Sequence, residues 1–344
     1  MRGSSVFMTA SVLALTLSSS LMNGVWAAPA TPPPSQAAPA AGGTQAAPHF
    51  VVYTDKGAEA APDPSKIAVS LSLFYRLALD DLRRNSKLAS IQGFNTVAMS
   101  FLLTTGAFDQ AKAWEILPAA QKASTKAAYQ KAGIKLIVSA FGSTDLPTAK
   151  DAKTIAGTMA TWVLANDVDG IDVDYEDLDA MNAQDGKAEQ WLIDFTNALR
   201  TQLPQGKYIL THAPLAPWFS ASHYKTGAYT KVHKEVGSKI DWYNLQFYNQ
   251  QAEYTDCNGL LNTSPTFPGS AVFEIIKGGV SADKVVIGKP GGQADATTGY
   301  MAPADLAKCV EQAKGQNWNG GIMSWEYPEA NSAWIKAAKG SAFP

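Results

Sequence analysis

Between residues 50 and 325 the chain repeats one unit, a short apolar run bounded by turn residues and then a longer stretch with apolar residues at helical spacing. The apolar runs are Phe50–Tyr53, Thr96–Leu102, Lys135–Phe141, Val168–Glu176, Lys207–Ala213, Ile240–Tyr248, Lys284–Lys289 and Gly320–Trp325. Helical spacing is carried by Ile67–Arg84, Ala149–Asn166, Ala188–Leu203 and Pro303–Gln316. Short strands that alternate with helices pair in parallel through helical crossovers. Eight such units predict an α/β fold, an eight-stranded (β/α)8 TIM barrel, for which roughly 250 residues is normal. An open doubly wound sheet is the competing architecture. No Gly-rich dinucleotide fingerprint follows the first run to support it.

The segment ahead of the first unit is different in kind. Arg2, the apolar stretch Val6–Leu21 and the small-residue site Val25-Trp26-Ala27 predict a secretory signal peptide over residues 1–27. A membrane anchor is the alternative, and the stretch is short and Ser-rich for a span. Residues 28–48 are Ala, Pro, Gly, Ser, Thr and Gln without a charge. They bury too little apolar surface to offset chain entropy, which predicts a disordered spacer. Residues 49–344 then form the barrel. Secretion sets the expectations for chemistry. In an oxidising compartment Cys257 and Cys309 are expected to pair, with two buried free thiols as the alternative. Asn262-Thr263-Ser264 is a glycan acceptor signal in a Gly/Ser/Pro-bearing loop.

A formal net charge of -2 gives no field to draw the chain to nucleic acid or to anionic lipid. No membrane partner is expected once the signal is removed, and a monomer is expected. His49, His212, His223 and His233 are scattered with no pair at ligand spacing, so neither a metal nor another cofactor is predicted. His212, at the end of the fifth run, is read as structural.

The fourth run reads Asp169-Gly170-Ile171-Asp172-Val173-Asp174-Tyr175-Glu176. As a strand it turns Ile171, Val173 and Tyr175 to one side and Asp172, Asp174 and Glu176 to the other. The apolar side suits packing under helices. Three carboxylates at neighbouring positions, roughly 6–7 Å apart, repel one another and raise at least one pKa. A plain buried core does not tolerate that. Such an arrangement belongs where it serves chemistry, and the C-terminal end of a barrel strand is that place. A calcium loop is the first alternative, but Asp177 stands where that loop needs Gly, and β-branched residues separate the acids. A solvated sheet edge is the second.

This octet resembles the Asp-Gly-x-Asp-x-Asp-x-Glu signature of glycoside hydrolase family 18. Ser139-Ala140-Phe141-Gly142 is similar to the family's third-strand segment, with Phe141 replacing a glycine. Gln246-Phe247-Tyr248-Asn249 matches the sixth strand of its plant-type members, and Gly320-Gly321-Ile322-Met323-Ser324-Trp325 resembles the eighth. Ala98-Met99-Ser100-Phe101-Leu102 lacks the second-strand Asn of plant-type members, which affects sugar contacts rather than chemistry.

The resemblance implies a retaining, substrate-assisted glycosidase acting on N-acetylglucosamine linkages. Glu176 would protonate the glycosidic oxygen, and the sugar's own N-acetyl carbonyl would attack the anomeric carbon. Asp174 would orient the acetamido N–H, with Asp172 sharing a proton with Asp174. Tyr248 would hold the acetamido carbonyl. Trp325 would form the floor under the sugar, with Gln246 and Tyr53 lining the same pocket. Asp169 and Gly170 are expected to be structural. Trp218 and Trp114 either extend the groove or pack on helices. The implied substrate is β-1,4-linked N-acetylglucosamine polymer, as for a chitinase. An endo-β-N-acetylglucosaminidase cutting the N-glycan core shares the octet, and a catalytically silent chitin-binding protein is the reading of another class.

Overall fold

The computed structural model describes residues 45–55 and 85–344. The signal peptide over 1–27, most of the spacer and the helix expected at Ile67–Arg84 lie outside the described residues. Among the described residues there are nine strands: β1 (His49–Thr54), β2 (Thr96–Leu103), β3 (Gly106–Ala107), β4 (Lys135–Gly142), β5 (Gly170–Tyr175), β6 (Ile209–His212), β7 (Trp242–Gln246), β8 (Val285–Pro290) and β9 (Gly321–Tyr327). Eight of them correspond to the eight apolar runs. β3 is an addition, a two-residue piece antiparallel to the end of β2.

The parallel strands pair in the order β1-β9-β8-β7-β6-β5-β4-β2, and the pairing of β1 with β2 closes the ring. The expected eight-stranded barrel is therefore the fold. Helices Ala152–Ala165, Lys187–Gln202 and Pro303–Lys314 form within two or three residues of their predicted limits. The first of these is capped by Asp151, whose carboxylate accepts the Thr154 N–H at 2.8 Å.

Strand alternation sorts the apolar residues into two layers. Val52, Val97, Val138, Ile171, Val173 and Leu245 join the large cluster between barrel and helices. Val51, Ala98, Ile137, Ile209, Val286 and Met323 fill the barrel itself. The second layer is small because much of the interior is polar. Contacts at the start of the octet tie β5 to its neighbours. Asp169 accepts the Leu136 N–H at 2.9 Å and lies 3.5 Å from the Lys126 ammonium. Gly170 lies so close to β6 that a Cβ there would sit 2.1 Å from the Ile209 carbonyl oxygen.

Cys257 and Cys309 form a disulfide, as expected, with their Cα atoms 4.9 Å apart. Asn262 is exposed at the end of the helix Cys257–Leu261.

Candidate active site

Asp172 and Asp174 of β5 and Glu176 directly after it share one side, and that side faces into the barrel. The interior that takes them is not a plain apolar core. Asp172 is fully buried and Asp174 nearly so. They are tolerated because the interior around them is polar. Asp172 accepts hydrogen bonds from Tyr53 Oη at 2.7 Å, Ser139 Oγ at 2.8 Å, Thr211 Oγ1 at 2.5 Å and Asn244 Nδ2 at 3.2 Å. Four strands thus supply donors to one carboxylate. Asn244 is itself oriented by the Trp242 indole N–H at 3.0 Å and also donates to Tyr53 Oη at 3.1 Å.

One turn of the pleat higher, Gln246 holds the other two acids. Its Nε2 donates to Asp174 Oδ1 at 2.9 Å and to Glu176 Oε1 at 3.3 Å, and it also meets the Ala213 carbonyl at 3.0 Å. Asp174 and Glu176 are hydrogen-bonded to each other. The charge of Asp172, one pleat below, also bears on Asp174. Burial lifts the pKa of Asp174 well above the usual aspartate range, and the charges of Glu176 and Asp172 push it the same way. Burial also raises Glu176, against the hydrogen bonds from Gln246 and Asp174. Asp172 is raised by burial, with its four donors opposing. The result is a graded column: a carboxylate with four donors at the bottom, a buried one in the middle, and a partly exposed acid at the mouth.

Aromatic residues close the mouth. Trp325, at the end of β9, is partly exposed, with its ring 5.7 Å from Phe101 and 5.9 Å from Tyr53. Tyr248 follows β7 on the inward side, and burial beside Asp174 and Glu176 pushes its phenol pKa well up, so the hydroxyl stays protonated. Tyr53 and Gln246 stand beside these acids, Gln246 at the level of Asp174 and Glu176. Tyr53 is 2% exposed and its hydroxyl is engaged with Asp172. Trp218 and Trp114 pack instead of extending the groove. Trp218 stacks on Tyr229 at 5.8 Å, and the Trp114 indole N–H donates to the Asn166 carbonyl at 2.9 Å. His212 is buried between Thr196 and Tyr229, and burial holds its pKa at about 3. It is a neutral structural residue.

Several residues of the site were not singled out from sequence. Ser139, Thr211 and Asn244 all fall on the inward parity of their strands, which was the available signal. Glu326 is buried next to Trp325 and accepts the Asp55 N–H at 3.0 Å across the β1–β9 seam. Among the described residues no group of three or more His, Cys, Asp or Glu side chains is placed to hold a metal ion.

Known proteins agree with this geometry. The family description Glycosyl hydrolases family 18 matches residues 74–338. Endochitinase 1 of Metarhizium robertsii is 28% identical over 209 residues, covering 55% of this chain and 43% of that protein. A class III chitinase of Arthroderma benhamiae is 27% identical over 184 residues, covering 51% of this chain and 50% of that one. The chain thus spans about half the length of the curated relatives it matches. The crystal structure of a GH18 chitinase from Pseudoalteromonas aurantia superposes with a TM-score of 0.64 at 26% identity, covering 85% of this chain and 99% of that one. With its match extending over most of the barrel, and with the acidic column intact at the barrel mouth, the chain belongs to glycoside hydrolase family 18.

Proposed function

We propose that the protein is a chitinase that hydrolyses β-1,4-linked N-acetylglucosamine with retention, using the substrate's own acetamido group as nucleophile. The observation that carries this is the column Asp172–Asp174–Glu176. It places Glu176, an acid with a raised pKa, at the mouth and a second raised carboxylate, Asp174, directly behind it, both held by Gln246. Glu176 is the general acid, since a raised pKa keeps it protonated near working pH. As it gives its proton to the glycosidic oxygen, the acetamido carbonyl attacks the anomeric carbon. Asp174 accepts the acetamido N–H and stabilises the positive charge that develops there. Tyr248, kept protonated by its surroundings, donates to the carbonyl being aimed at the anomeric carbon. Water then enters with Glu176 as base. Asp172 holds the charge balance of the column from below. Trp325 offers an apolar face for the sugar's C–H groups.

Gln246 and Tyr53 serve this site by holding carboxylates. Release from the cell through a signal peptide at 1–27, with residues 28–48 as spacer ahead of a barrel over 49–344, belongs to the same proposal. Amino-terminal sequencing of the secreted protein tests it.

The experiment for activity offers the purified protein both N-acetylglucosamine oligomers and a high-mannose glycoprotein. Cleavage of the oligomers is expected. Cleavage of the glycoprotein alone would favour an endo-β-N-acetylglucosaminidase, and binding without cleavage a silent chitin-binding protein. Glu176→Gln is expected to lower kcat by about 10²- to 10⁴-fold with sugar binding retained.

A further inference from the structure

Lys289 is fully buried, and none of the steps above uses it. It sits at the end of β8, on the outward register of that strand, beside the segment that follows β7. Its ammonium donates to three main-chain carbonyls: Phe247 at 2.8 Å, Tyr254 at 2.7 Å and Gly299 at 3.0 Å. A lysine ammonium has three N–H donors, and all three are used. Among the described residues no carboxylate lies within ion-pair distance of it. Burial with no acidic partner pulls its pKa down to about 7.

Two of the three carbonyls border one residue, Tyr248. Phe247 O belongs to the peptide that leads into Tyr248. Gly299 has φ +87°, and a Cβ there would come within 2.6 Å of the Tyr248 Cα, so its turn lies directly on the tyrosine backbone. On the far side of Tyr248, Asn249 N donates to Thr298 O at 3.0 Å, and Asn249 Oδ1 accepts the Thr297 N–H at 2.8 Å. The backbone is therefore tied down before and after Tyr248, and the ammonium joins the two tied segments to each other.

We infer that Lys289 is a positioning residue for Tyr248: it pins the 247–248 peptide, the Tyr254 segment and the Gly299 turn together, and so fixes where the phenol hydroxyl stands in the barrel mouth. This rests on the role given to Tyr248 above. An error of about 1 Å in such a group costs on the order of 10²-fold in rate, so rigid support outside the barrel has a catalytic reason.

The test is a double-mutant cycle on hydrolysis of the N-acetylglucosamine tetramer. Lys289→Met keeps the stem and removes the charge and donors. It is expected to lower kcat about tenfold or more with KM within about threefold. In a Tyr248→Phe background the same change is expected to cost under about threefold, because the group it positions is gone. An unchanged kcat, a loss confined to KM, or losses that simply multiply would overturn the inference. If Lys289→Met does not fold, Lys289→Gln, which keeps two N–H donors, takes its place in the cycle. Failure of both to fold marks the lysine as purely structural and overturns it too. If the wild-type chain cleaves no oligomer, the proposed function has failed on its own. The clamp is then read by hydrogen exchange at the Asn249 amide, expected to be faster in Lys289→Met at matched global stability. Unchanged exchange there would also overturn it.

Discussion

Gln246 and Asp174 show how single side chains set the protonation of the site. The Gln246 amide donates to both Asp174 and Glu176, and a donor favours the charged form of the group it serves. It therefore holds both pKa values down against burial. Gln246→Leu removes that opposition and should move the alkaline limb of kcat/KM to higher pH, since Glu176 then keeps its proton longer. A pH–rate profile on a soluble oligomer checks this, and a limb that moves to lower pH would show that Gln246 works in another way. Asp174 has the opposite consequence for stability. Its folded pKa lies above its unfolded value. Such a group adds stability only in its protonated form, fully below the unfolded pKa and lost as pH rises through the folded pKa. At neutral pH it is a burden on the fold. Asp174→Asn keeps an acceptor for Gln246 and gains an N–H for Glu176. It should raise stability by about 1 kcal/mol at pH 7, or roughly 2–4 °C in Tm. The advantage should shrink as pH falls toward the ordinary aspartate range. Thermal melts across pH, beside an activity assay in which the variant is nearly dead, separate stability from function.

At the scale of the element, β5 depends on a close approach that tolerates no side chain. A Cβ at Gly170 would sit 2.1 Å from the Ile209 carbonyl oxygen, so Gly170→Ala must push β5 away from β6. Overpacking of this kind costs about 1–3 kcal/mol or more. Since Thr211 of β6 donates to Asp172, the variant should lose activity even where it stays folded. Urea unfolding and kcat measured on the same preparation test both halves. The strand positions were legible because period-two alternation and flanking turn residues are local signals. The alternation within the octet also sorted inward from outward correctly. What was not legible needed the ring to close. Tyr53 and Asp172 are 119 residues apart and meet only because β1 and β5 face each other across the barrel. The polar interior that tolerates buried acids is built from such pairs. For Trp114 and Trp218, past the ends of their strands, no parity rule chooses between groove and helix packing. Lys289 closes an apolar run and reads there as an ordinary strand end, because its three carbonyl partners come from segments that sequence does not bring together.

The described residues form a closed ring with the carboxylate column at one rim, and one covalent tie runs across that ring's outer layer. Cys257 lies in the helix after the β7 segment, and Cys309 in the helix Pro303–Lys314 that leads into β9. The bond spans a sequence separation of 52 residues that includes the whole of β8. In the chain-entropy view, restricting a loop of that length in the unfolded state stabilises the fold by up to about 4 kcal/mol. The carboxylate column, by contrast, is held by β1, β4, β5, β6 and β7, none of which carries a cysteine. Stability and chemistry should therefore separate in the variant Cys257→Ser/Cys309→Ser. Its Tm is expected to fall by on the order of 10 °C, while kcat at 25 °C stays within about threefold of the parent. A matching fall in kcat at that temperature, in protein shown to be folded, would mean that the tie also holds the Tyr248 side of the rim, through the Tyr254 segment that Lys289 clamps three residues before Cys257.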